Sequence, residues 1–126
     1  MNKITVLLVD DHEGFINAAL RHLRKLPWIE VVGQAGNGLE AIERSEALRP
    51  DVVLMDLAMP EMGGLQATEQ IRQREAGSDQ HLPIIAMTAN AMDSDRDACL
   101  AAGMDAFISK PINREQLYRV MAEVLQ

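Results

Sequence analysis

The chain has 126 residues, of which 48% are apolar and 25% charged, with a net charge of −7. That is enough for one domain with a packed core, read here as spanning residues 1–126. Its twelve Lys and Arg form no run and no aromatic-interleaved patch, which argues against direct nucleic-acid binding. A single cysteine, no membrane-length apolar stretch and no secretory leader before the first strand exclude disulfide scaffolds, suggest no membrane partner and suit the cytoplasm.

Apolar runs alternate with helical patterns from end to end. Val6-Leu7-Leu8-Val9 centres a strand over 4–9 that stops on Asp10-Asp11. A helix is predicted over 13–26 and a strand over 30–35. Gly36-Asn37-Gly38 then turns into a helix over 38–48. Pro50 leads into a strand over 51–55 that stops on Asp56. Gly63-Gly64 opens a helix over 64–75, and Pro83 leads into a strand over 83–87 followed by Thr88-Ala89. A helix over 92–102 starts at Asp93-Ser94 and stops at Gly103, with Cys99 expected to be buried on its apolar face. The last strand, 105–108, runs into Ser109-Lys110-Pro111. Leu117, Val120, Met121 and Val124 then mark a helix over 113–125 at i, i+3, i+4, i+7 spacing.

Five βα units in succession imply an α/β fold: a doubly wound five-stranded parallel sheet with helices on both faces. At this length the expected strand order is 2-1-3-4-5, which makes the first and third strands neighbours. Their carboxyl ends then form the switch-point crevice where ligands bind. Asp10, Asp11 and Asp56 meet there by topology, with Thr88 and Lys110 at the ends of the next two strands.

Three close carboxylates require a proton, a hydrogen bond or a cation to offset them. An all-oxygen donor set suits Mg²⁺ and argues against zinc. Thr88 can donate to a phosphoryl oxygen, Ala89 leaves room beside it, and Lys110 supplies a point charge. A Lys110-Pro111 junction after a strand is a candidate cis peptide that would aim the lysine at the site. Together these groups suit phosphoryl transfer to a carboxylate. Each has a structural alternative: Asp11 as a helix cap, Thr88 as a turn cap, Lys110 as a surface lysine. Their joint appearance at four ends of one sheet favours the chemical reading. His12 is read as a solvated loop residue, and His22 and His81 are assigned no function.

Five pieces in order carry a family resemblance: Leu8-Val9-Asp10-Asp11-His12; Leu54-Met55-Asp56 with Met59-Pro60-Glu61-Met62-Gly63-Gly64; Pro83 through Ala89; Gly103-Met104-Asp105-Ala106-Phe107; and Lys110-Pro111. Over its whole length the chain resembles the receiver domain of two-component response regulators, a flavodoxin-like (CheY-like) fold in which the 2-1-3-4-5 order is already known. The resemblance implies that Asp56 accepts a phosphoryl group from a phosphohistidine on a sensor histidine kinase or a histidine phosphotransfer protein. It also implies that Asp10, Asp11, Asp56 and the backbone carbonyl of Ala58 hold Mg²⁺. Thr88 and Lys110 would bind the phosphoryl oxygens, and Phe107 would be a switch aromatic moving with Thr88.

The domain would thus be a switch that assists its own phosphorylation and dephosphorylation, not an enzyme with a separate substrate. Its readout would be the face of the fourth helix, fifth strand and fifth helix, including Met92, Ala101, Ile108 and Tyr118. That face would dock an output domain or target protein, and it admits a phosphorylation-dependent homodimer. Ala58 and Asn90 stand at the family's hydrolysis-tuning positions, and Ala58 cannot position a water with its side chain.

Three other functions are weighed. A haloacid-dehalogenase-type phosphohydrolase would want Asp-x-Asp after the first strand, where Asp10-Asp11 are adjacent, and a cap for which the chain lacks room. A flavodoxin would want a hydroxyl- and glycine-rich loop there instead. A pseudo-receiver would have lost an acid or the lysine, and all are present. The stretch Pro27-Trp28-Ile29-Glu30-Val31-Val32-Gly33 resembles regulators with a helix-turn-helix output. Ala86-Met87-Thr88-Ala89-Asn90-Ala91-Met92 resembles receivers of hybrid kinases.

Overall fold

The computed structural model describes residues 3–59, 61–89 and 93–125. Pro60, Asn90, Ala91 and Met92, named above, lie outside them. The elements run β1 (Ile4–Val9), α1 (Glu13–Leu23), β2 (Ile29–Ala35), α2 (Gly38–Leu48), β3 (Val52–Asp56), α3 (Gly64–Glu75), β4 (Ile84–Thr88), α4 (Asp93–Ala102), β5 (Ala106–Ser109) and α5 (Arg114–Val124). The strands form one parallel sheet in the order β2-β1-β3-β4-β5, as expected.

Boundaries agree with expectation to within a residue or two, except at the end of α1. The helix stops at Leu23, three residues short of the predicted end, although Leu20, Leu23 and Leu26 keep their apolar spacing. Lys25 N–H donates to His22 O and Leu26 N–H to Leu23 O. These are i→i−3 bonds of a tightened turn, which buries Leu26 as well as another α turn would.

Strand alternation divides the core into two layers. Val6, Leu8, Val52, Leu54, Ile85, Met87 and Ile108 face one way, with Leu20, Leu23, Leu117 and Met121 from α1 and α5 packed on them. Leu7, Val9, Val53, Met55, Ile84 and Ala86 face the other way, toward Ala41, Ala67, Ile71 and Cys99 of α2, α3 and α4. Both faces are covered, so the strands read as unbroken apolar runs rather than alternating ones. Cys99 is buried within its layer, as expected.

Capping explains where several helices begin. Asn37 Oδ1 accepts from Glu40 N–H while Glu40 Oε1 accepts from Gly36 N–H, a reciprocal cap on α2. Asn113 Oδ1 accepts from Gln116 N–H at the start of α5. Gly103 stops α4 at φ +106°, where L-residues are strained.

The amino-terminal end of the sheet is tied by a separate polar network. The Asp105 carboxylate accepts from Arg72, His81 and the N–H of Ile84, and Arg72 also donates to Gly103 O and Glu75. His81, given no role from sequence, is part of this tie. Tyr118 stacks edge-on against Trp28, ring centroids 5.3 Å apart. One expected member of the readout face differs from expectation: Ile108 is only 1% exposed and belongs to the core, whereas Tyr118 is exposed and packs one edge against Trp28. No helix among the described residues is long and apolar enough to cross a membrane.

Candidate functional site

The alternation that builds the core also aims the polar strand ends. Asp10 lies two residues beyond Leu8, Asp56 two beyond Leu54, and Lys110 two beyond Ile108, so all three emerge on the α1/α5 side. Thr88 lies two beyond Ala86 and shares the opposite face with Phe107, the register partner of Ala86.

Asp10, Asp11 and Asp56 each offer a carboxylate oxygen, and these oxygens lie within 4.8 Å of one another. Asp10 is completely buried, Asp56 nearly so, and Asp11 is exposed. Lys110 Nζ donates to Asp10 Oδ2 at 2.7 Å and sits 3.2 Å from Asp56 Oδ1. The Lys110-Pro111 peptide is cis, as expected, and the Lys110 backbone N–H donates to Thr88 O. Thr88 is buried, Ala58 and Ala89 are exposed, and Phe107 is half-buried beneath the Arg96 guanidinium, 5.7 Å from the ring centroid.

Burial, and then the negative field of Asp10, raise Asp56 above the usual carboxylate range, although Lys110 pulls the other way. Burial works against the charged form of Lys110. The hydrogen bond to Asp10 and the fields of Asp56 and Asp10 outweigh it and hold the ammonium above its ordinary value.

Three carboxylates against one ammonium leave a formal charge of −2 in the crevice, which a divalent cation would balance. An octahedral ion with bonds of about 2.1 Å spans about 4.2 Å between opposite ligands, close to the spread of these oxygens. The donor set is all oxygen, so it fits Mg²⁺ better than a softer metal.

Close packing behind Asp56 depends on one glycine. A Cβ on Gly64 would lie 2.3 Å from the backbone oxygen of Asp56, and Gly64 N–H donates to Leu57 O. The start of α3 can therefore approach the end of β3 only without a side chain at that position.

Two contributors escaped the sequence reading. His12 is exposed and precedes the helix, as expected, and it is also the N-cap of α1: its Nδ1 accepts from Phe15 N–H at 3.0 Å and its own N–H donates to Asp10 Oδ1 at 2.8 Å. The role considered for Asp11, capping this helix, therefore falls to the next residue. Phe15 places its ring 4.4 Å, centroid to Nζ, from Lys110. The spacing of Phe15 from the end of the first strand was the only available signal, and it reads equally well as a core position.

Fold and site together define a doubly wound α/β domain with a cation-competent acidic crevice and a lysine at its switch point. The family model for the response regulator receiver domain matches residues 6–122, and the chain belongs to that family, the phosphoacceptor module of two-component signalling. It is 42% identical to two-component system protein A of Emericella nidulans over 92% of this chain and 17% of that protein. It is 35% identical to the signal transduction histidine-protein kinase BarA of Escherichia coli over 94% of this chain and 12% of that kinase. The chain thus spans less than a fifth of the length of either. The crystal structure of the receiver domain of sensor histidine kinase PA1611 from Pseudomonas aeruginosa is 36% identical, with a TM-score of 0.83 and 98% coverage of both chains. That structure has a magnesium ion coordinated in its active site cleft.

Proposed function

We propose that Asp56 is the phosphoacceptor of a two-component switch spanning residues 1–126. The observation that carries this is a buried carboxylate at the carboxyl end of the central strand, with two acids and a lysine ammonium converging on it. An Asp56 oxygen attacks the phosphorus of a phosphohistidine on a sensor kinase or phosphotransfer protein. The P–N bond breaks, and the leaving imidazole keeps the electron pair and takes a proton from solvent. Asp10, Asp11, Asp56 and the carbonyl of Ala58 are the residues that would hold Mg²⁺. When bound, the ion supplies the positive charge that lets an anionic phosphoryl group enter an acidic crevice.

Lys110 exchanges a carboxylate for a phosphoryl oxygen, and Thr88 donates its hydroxyl from the other face of the sheet. Phe107, on the face of Thr88, is positioned to follow it, and the α4-β5-α5 face would carry the change to an output domain, a target protein or a second copy of the chain. Water later attacks the same phosphorus and gives up a proton to solvent, the bond from phosphorus to the Asp56 oxygen breaks, and inorganic phosphate leaves with Asp56 regenerated as carboxylate. The domain in this reading is a cytoplasmic switch acting on itself, not an enzyme with a separate substrate.

The test is the intact-protein mass after incubation with acetyl phosphate, with and without Mg²⁺, for wild type and Asp56→Asn. One added phosphoryl group that requires both Mg²⁺ and Asp56 is expected. A stable, acid-labile phosphoryl group on Asp56→Asn would refute the assignment. A folded wild type that gains nothing, even from a phosphohistidine donor, would favour a binding module that works without phosphorylation.

A further inference from the structure

A closed ring of contacts surrounds Asp10. His12 N–H donates to Asp10 Oδ1, Phe15 N–H donates to His12 Nδ1, the Phe15 ring lies 4.4 Å from Lys110 Nζ, and Lys110 donates to Asp10 Oδ2. The first turn of α1 is therefore tied to the acidic crevice at its backbone and to the lysine through one aromatic ring. Gly14 lets this turn form closely, since a Cβ there would lie 3.1 Å from His12 Cε1.

The Phe15 ring also packs against the α1/α5 core layer, and for that role any large apolar side chain would serve. The ammonium makes a further demand. Lys110 has a flexible four-carbon stem and a compact charge, and its side chain is 21% exposed. Water competes for it from one side while two carboxylates hold it from the other. The negative face of an aromatic ring attracts a cation within about 6 Å without requiring a particular donor direction. It can therefore keep the ammonium at the crevice while the hydrogen bonds pass from carboxylate to phosphoryl oxygen, when a purely hydrogen-bonded lysine would be free to swing into solvent.

We propose that Phe15 is a positioning residue for phosphoryl transfer, holding the Lys110 ammonium at the crevice through a cation–π contact. The proposal rests on the phosphoacceptor reading of Asp56. Its observable signature is a dependence on the electrons of the ring, which a packing role would not show.

Phe15 is replaced by mono-, di- and trifluorophenylalanine, which keep the shape of the ring while draining its negative face. The initial rate of phosphorylation by acetyl phosphate at saturating Mg²⁺ is expected to fall stepwise, by about fivefold in all. The contact is already present in the unphosphorylated fold, so melting temperature falls by no more than about 4 °C, and Mg²⁺ saturation of each variant is verified calorimetrically. Phe15→Tyr restores most of the rate, whereas Phe15→Leu matches the trifluoro protein. Independently of activity, the ring current of Phe15 should shift the Lys110 Hε protons upfield in the NMR spectrum of wild type, and Phe15→Leu should abolish the shift. A flat fluorine series in an active wild type, or no upfield shift, overturns this proposal alone. A wild type that takes no phosphoryl group overturns it together with the phosphoacceptor reading.

Discussion

Replacing Lys110 by methionine tests how the acidic crevice is neutralised. The substitution keeps most of the side-chain volume but leaves Asp10, fully buried, and Asp56 without their cation. At the 2.7 Å separation of Lys110 Nζ and Asp10 Oδ2, an effective dielectric constant of about 20 gives an attraction of roughly 6 kcal/mol before desolvation is subtracted. Removing one partner of a buried pair costs about 3–5 kcal/mol, because the other charge is stranded. Water reaches the outer side of Lys110, so the lower end, about 3 kcal/mol, is expected. For 126 residues, an unfolding entropy of about 2.1 cal/mol/K per residue converts this to a fall of about 11 °C in Tm. The assay is thermal and urea unfolding followed by circular dichroism at pH 7.5 in EDTA. Saturating Mg²⁺ should then close at least half of the gap, because the ion replaces the missing charge and no longer competes with the ammonium for Asp10. A loss under about 1 kcal/mol in EDTA, or a gap that Mg²⁺ leaves unchanged, would refute the reasoning.

Two further outcomes follow from the same geometry. Gly64→Ala would press a methyl group onto the backbone oxygen of Asp56. It is expected to cost on the order of 3 kcal/mol in urea unfolding and to slow phosphorylation by acetyl phosphate at least tenfold, on the order of the cost of a misplaced reacting group; a variant with wild-type stability and rate would show that α3 can simply shift. Asp56→Asn should stabilise the metal-free protein at neutral pH. Burial and Asp10 raise the folded-state pKa of Asp56 above 3.8, so its ionised form works against folding. As the pH falls through that raised value toward 3.8, wild type takes up its proton and the advantage of Asn vanishes. Melts in EDTA between pH 7.5 and 4 check the sign, and an advantage that grows on acidification would contradict it.

The strands were legible because a parallel sheet covered on both faces writes itself as apolar runs, whereas their order rested on the known doubly wound pattern. The positions of Asp10, Asp56 and Lys110 in the crevice, and of Thr88 at the neighbouring strand end, followed from where those runs stop. The division of these groups between the two faces was also available, since counting in twos from Leu8, Leu54 and Ile108 separates Lys110 from Thr88. What stayed hidden depends on atoms brought together across the chain. Phe15 looks like any apolar residue of an amphipathic helix until Lys110 is placed over it. Arg72 lies on α3, His81 in the loop before β4 and Asp105 just before β5, and none carries a local mark of the others. The end of α1 was misread because an apolar spacing of three residues suits a tightened turn as well as an α turn.

The edge-on pair of Trp28 and Tyr118 gives the molecule its own optical gauge. Each is the sole residue of its type in the chain, and one precedes β2 while the other rides on α5. At 5.3 Å between centroids, light absorbed by the phenol passes efficiently to the indole. A displacement of α5 would alter the surroundings of the indole and hence its native emission without any added label, and the helix could be followed in real time during phosphorylation of the unmodified protein.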